Sequence, residues 1–123
     1  MILNAVTPLK THGYGSAAVR SARDTEYDAF SRITRQLRQN DRRCGTAEAI
    51  QAVHLNNELW TALAADLAAP GNALPDEVKA GLLSLAGFSI RRGHACLQGE
   101  ATTDALIDIN LSIMKGLRGE VPA

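Results

Sequence analysis

With 123 residues the chain is one domain's worth, enough to bury about two-thirds of the surface it exposes when unfolded. A hydrophobic content of 46% with 21% charged residues excludes disorder throughout, and aromatics at 4% leave a core of Leu, Ile, Val and Ala, which suits helix packing better than a β-sandwich. The formal charge is zero but divided: up to Arg43, eight basic residues against four acidic leave +4, and the remaining five against nine leave −4. A basic N-terminal third can meet an acidic protein or RNA, or can neutralise the rest of the fold; the second reading is the plainer one.

In chain order, Met1 to Gly15 holds Pro8, Gly13 and Gly15 without a period and reads as an extended arm, with Tyr14 as an anchor. A first helix is expected from Ser16, its N-cap, to about Asn40. Its apolar stripe is thin, made by Val19, Ala22, Phe30, Ile33 and Leu37, with Glu26 and Tyr27 towards the flank and Arg32, Arg35, Arg38 and Gln39 on the other side. Thr46 caps a second helix that runs to about Ala69, where Pro70, Gly71 and Asn72 stop it. A short connector predicts an antiparallel third helix from Pro75 to about Leu97, rich in small residues. Thr102 or Thr103 caps a fourth, Asp104 to Leu117, apolar nearly all round and so expected to be the best-covered helix. Residues 16–119 then form one domain, and 120–123 fray. The expected class is all-α, a small, mainly four-helix bundle-like domain.

The stretch from Ile50 to Trp60 organises this layout. Ile50, Val53, Asn57, Trp60, Ala64 and Leu67 follow one helix face, and Leu55, Leu59 and Leu63 an adjacent one. Asn57 on that packed face, and Asn110 in the middle of the fourth helix, are predicted structural amides that pair across the bundle, because a buried amide without a partner is costly. On this reading, leucine in place of Asn110 removes a specificity device and can even raise stability, whereas aspartate destabilises by burying a charge.

Chemistry-bearing patterns are scarce. His12, His54 and His94 are dispersed, and HExxH, CxxC, EF-hand and phosphate-loop spacings are all missing. His54 can approach His94 across an antiparallel pair, but a metal site needs a third ligand. Cys44 and Cys96 are not a disulfide framework and are expected reduced. Neither an apolar leader nor a run of about 18 apolar residues is present, so the predicted location is cytoplasmic, with no membrane partner. The expectation is a protein that is not an enzyme and holds no cofactor and no metal.

The stretches LNNELWTALAADLA, NALPDEVKAGLLSLAGFSIRRG and LIDINLSIMKGL together resemble the FlaF family of flagellar biosynthesis regulators of alphaproteobacteria. The matching positions include Leu55, Asn56, Leu59, Trp60, Asn72, Leu74, Pro75, Leu85, Ile109, Asn110, Met114, Gly116 and Leu117. The resemblance spans about Ala49 to Leu117; the first forty-odd residues share only its style. It implies a small helical cytoplasmic protein that binds flagellin, promotes its synthesis and export in the manner of a secretion chaperone, and opposes the translational repressor FlbT. It carries over no catalytic or ligand residues. An export chaperone would cover the amphipathic terminal regions of flagellin with a helical surface. The alternative is an RNA-binding regulator acting directly on flagellin messenger; balanced charge and the lack of a readable aromatic platform argue against direct nucleic-acid binding. The partner surface is placed on the arm and first helix, at Tyr14, Tyr27, Phe30, Arg35 and Arg38, where the thin stripe leaves most of the circumference free.

Overall fold

In the computed structural model, the backbone is described for residues 13–117 and the side chains for 26–117. The arm up to residue 12, the side chains of Tyr14 and Ser16, and the tail 120–123 lie outside the described residues. Four helices follow in order: α1 (Gly13–Gln39), α2 (Ala47–Ala68), α3 (Asp76–Leu97) and α4 (Asp104–Leu117). The helix α1 begins at Gly13, so Gly13 to Gly15 are helical and Ser16 is not its N-cap.

Local signals set the other boundaries. The Thr46 hydroxyl accepts the Ala49 amide at 3.1 Å, closing the first turn of α2. Pro75 stands one residue before α3 with Asp76 and Glu77 in the first turn, where their charges meet the positive end of the helix dipole. Thr103 precedes α4 and takes the Ile107 amide on its carbonyl, while its buried hydroxyl has no partner; the cap is made by backbone. Asn72 sews the α2–α3 turn, donating to the Asp66 carbonyl at 3.2 Å and accepting the Leu74 amide at 3.0 Å. At the opposite end the Thr103 amide donates to the Arg42 carbonyl at 2.9 Å, which ties the α1–α2 loop to the α3–α4 loop. An exposed Arg42–Asp104 ion pair at 2.8 Å lies over the same junction and adds little by itself.

The helices form a ring in which α1 packs on α2 and α4, and α3 packs on α2 and α4. The core comprises two apolar clusters. Phe30, Leu59, Trp60, Leu63, Leu67, Ala86 and Met114 make one. Leu37, Ala52, Val53, Cys96, Leu106 and Ile107 make the other. The 22-residue α2 supplies eight buried residues and the 14-residue α4 four, so α2 is the larger contributor to the core. On α4, Ile109, Leu111 and Ile113 are half-buried and Asp108 and Ser112 face out, so its apolar circumference is covered only in part. Half-exposed leucine and isoleucine on a flank read, in sequence alone, like full burial.

Candidate functional site

Between the two apolar clusters each helix contributes one fully or almost fully buried polar residue: Thr34 on α1, Asn56 on α2, Ser89 on α3 and Asn110 on α4. The order along each chain segment places them in one layer. On α2, Asn56 separates Val53 from Leu59; on α4, Asn110 separates Ile107 from Met114; on α1, Thr34 separates Phe30 from Leu37. Three of the four are joined. The Trp60 indole N–H donates to Asn110 Oδ1 at 3.0 Å, Asn110 Nδ2 donates to Asn56 Oδ1 at 2.7 Å, and Asn56 Nδ2 reaches Ser89 Oγ at 3.4 Å.

In this network Asn110 is buried with both ends of its amide hydrogen-bonded, and its partner is Asn56, not Asn57. Asn57 is half-buried, and its amide lies against Gly93 with Oδ1 buried and unpaired. The core direction of α2 falls between the two apolar stripes, so Asn56 points inward and Asn57 and Ile50 sit on the flank. The leucine stripe and the Val53–Trp60 stripe, averaged, give that direction; either one alone misses it.

Thr34 is the fourth member of the layer and differs from the rest. It is 3% exposed, and its hydroxyl has no hydrogen-bond partner. It lines a cleft of about 330 Å3 between α1 and α4, together with Ser31, Arg35, Arg38, Leu111 and Met114. Arg35 and Arg38, one helical turn apart, are exposed on its rim. Among the described residues neither guanidinium makes an ion pair. A cleft with two unpaired cations, a buried free hydroxyl and a Leu–Met floor suits an anionic group attached to an apolar one.

The remaining predicted contact residues divide. Tyr27 is half-buried and packs against the first cluster. Phe30 is wholly buried, edge-on to Trp60 with centroids 5.5 Å apart and planes at 75°, so it offers no contact surface and its place on the expected list is corrected. The largest exposed apolar side chains lie elsewhere, chiefly on α3: Val78 at 45% and Phe88 at 39%. The Arg92 guanidinium sits 5.4 Å from the Phe88 ring centre, a cation–π contact made without an outside partner. The sequence reading missed this exposed aromatic because Phe88 falls within an otherwise core-like alternation of large and small residues.

Among the described residues, the histidines and thiols are not grouped with one another into a cluster. His54 and His94 line one shallow cleft between α2 and α3 with Asn57, Glu58 and Thr61. Among the described residues, no three His, Cys, Asp or Glu side chains are grouped to hold a metal. Both cysteines are free. Burial, reinforced by nearby Cys44, pushes the Cys96 thiol up to about 11, and its S–H donates to the Thr102 carbonyl at 3.1 Å. Burial and the neighbouring Asp41 carboxylate also raise Cys44. Both shifts disfavour the thiolate, the reverse of activation. No helix among the described residues is long and apolar enough to cross a membrane.

A family model described as flagellar protein FlaF matches residues 12–117. No curated protein and no solved structure matches the chain.

Proposed function

The chain belongs to the FlaF family of flagellar proteins, and on that premise we propose that it is a cytoplasmic binding protein for flagellin, not an enzyme. In this reading it holds flagellin before export, promotes its production, and works against the repressor FlbT. The observation that carries the reading is the α1–α4 cleft, with a buried free hydroxyl and two unpaired arginines on a Leu–Met floor. Such a surface suits a folded-on-binding amphipathic segment better than a small metabolite, since only a few side chains enter a space of that size.

The test is a pull-down of monomeric flagellin by the full chain, with and without ribonuclease. Capture that survives ribonuclease is expected. No capture in either arm defeats the reading.

A second reading, direct binding of flagellin messenger, has one observation in its favour: exposed Phe88 beside Arg91 and Arg92. Arg92 already lies over the ring, however, which takes the face a base would stack on. Capture abolished by ribonuclease would move the function to this second reading.

A further inference from the structure

The partner's chemistry follows from the cleft. We propose that the α1–α4 cleft is a receptor for an acidic amphipathic protein segment, with a carboxylate held by Arg35 and Arg38 and, as the cleft widens on binding, by the Thr34 hydroxyl, and an adjoining apolar side chain over Leu111 and Met114. The proposal rests on the binding role given above and names the surface and the occupant that such a role needs.

Three observations converge here. A hydroxyl as buried as that of Thr34 ordinarily finds a partner, and the three corresponding polar residues of the same layer have found theirs. Thr34 instead lines the cleft, with its unpaired Oγ1 closed to solvent in the free chain. The arginines at its rim are uncompensated, so they complement a negative group, and the fork of a guanidinium matches a carboxylate in two-point geometry. The floor is apolar, so a bare anion leaves Leu111 and Met114 unused, whereas a carboxylate on an amphipathic helix uses both. A nucleic-acid strand fits less well: among the described residues no aromatic lines the cleft for a base to stack on, and two cations track little of a phosphate chain.

The proposal is tested on the full chain with two synthetic 18-residue amphipathic helices of identical Leu/Ile face, one edged with Glu and the other with Gln. Calorimetric titration should show the Glu peptide binding about tenfold tighter. The double variant Arg35→Gln, Arg38→Gln alters two exposed side chains, so it should keep its helicity, and it should erase that difference between the peptides. Thr34→Val should weaken the Glu peptide a few-fold and leave the Gln peptide unchanged. Equal affinity for the two peptides, or a double variant that still discriminates, overturns the proposal. So does a 20-nucleotide RNA that displaces the Glu peptide at equal concentration.

Flagellin titrations separate this proposal from the reading it rests on. If flagellin binds, is not displaced by the Glu peptide and is indifferent to the arginine variant, the cleft assignment falls and the flagellin reading stands. If the Glu peptide binds with the pattern above but flagellin does not, the cleft stands and flagellin is the wrong partner.

Discussion

On the α2–α3–α4 side of the polar layer, Asn56, Ser89, Asn110 and Trp60 satisfy one another, whereas on the α1 side Thr34 is almost as deeply buried and its hydroxyl is left alone. The seams do not divide in the same way: between α2 and α3 the Asn57 amide lies directly on Gly93, yet a cleft of about 450 Å3 opens beside it, and between α1 and α4 there is one of about 330 Å3 lined by Thr34. A buried polar group without a partner costs about 1–3 kcal/mol. The fold pairs three members of the layer and strands the fourth beside a cleft, where a methyl would be more stable. The paired polar groups fix how the helices register; the stranded one lies under the wall of the cleft proposed to take a ligand.

The contrast breaks most visibly at Asn110. Asn110→Leu removes the acceptor of the Trp60 indole and the donor to Asn56, leaving two buried polar atoms unpaired in place of a closed chain. The expected loss is about 2–4 kcal/mol of unfolding free energy in urea. This reverses the expectation formed from sequence, in which leucine cost specificity and could raise stability, because that argument treated the amide as replaceable without knowing that it served two partners. Combining the change with Asn56→Leu should cost less than the two losses added, since each removes an orphan that the other creates. Strict additivity would mean that the two amides do not communicate.

The amide pair also shows how far sequence carried. Four helices and their ends near Thr46, Pro75 and Leu97 were legible because caps, prolines and apolar periods are local signals. The partner of Asn110 was not, because a one-residue choice between Asn56 and Asn57 turns the side chain by about 100° and depends on where the other three helices lie. Arg35 and Arg38 were legible as a free basic edge. The cleft beneath them was not: Thr34 reads in sequence as an ordinary helical residue, and Leu111 and Met114 come from a helix seventy-odd positions away. Phe30 was misplaced for a related reason, since a thin stripe on α1 does not reveal that Trp60 is waiting for a ring edge.

The Asn57–Gly93 contact gives the next effect. A methyl at position 93 would collide with the Asn57 amide, a cost partly offset by the roughly 1 kcal/mol that alanine gains over glycine inside a helix, so Gly93→Ala should destabilise by about 1 kcal/mol. Asn57→Ala, by clearing that space, should recover most of the loss in the double variant. Thermal melts of the four proteins decide it. A Gly93→Ala variant more stable than the parent would show that the Asn57 side chain moves aside freely and that the contact does not hold the two helices in register.

A smaller effect, confined to alkaline pH, tests pairing inside the core. The folded Cys96 thiol titrates at about 11 against an ordinary 9.0. The unfolded chain therefore loses this proton first. The contribution is fully present below pH 9 and is lost as pH rises towards 11. Melting temperature should fall over that window more steeply for the parent than for Cys96→Ala. Equal slopes would mean that the thiol is as free to ionise in the fold as outside it.

The smallest expected change in stability is at Thr34, and it has the opposite sign. Thr34→Val keeps the shape and the β-branch, at nearly equal helix propensity, and removes only a hydroxyl that the fold leaves unpaired. Without that desolvation penalty the variant should gain on the order of 1 kcal/mol and melt a few degrees higher. Asn110→Leu and Thr34→Val thus delete polar groups from one layer, at nearly equal burial, with opposite outcomes. A Thr34→Val variant that loses stability would mean that its hydroxyl is paired in the folded chain, and the α1–α4 cleft would then be a gap in the packing and not a place kept for a ligand.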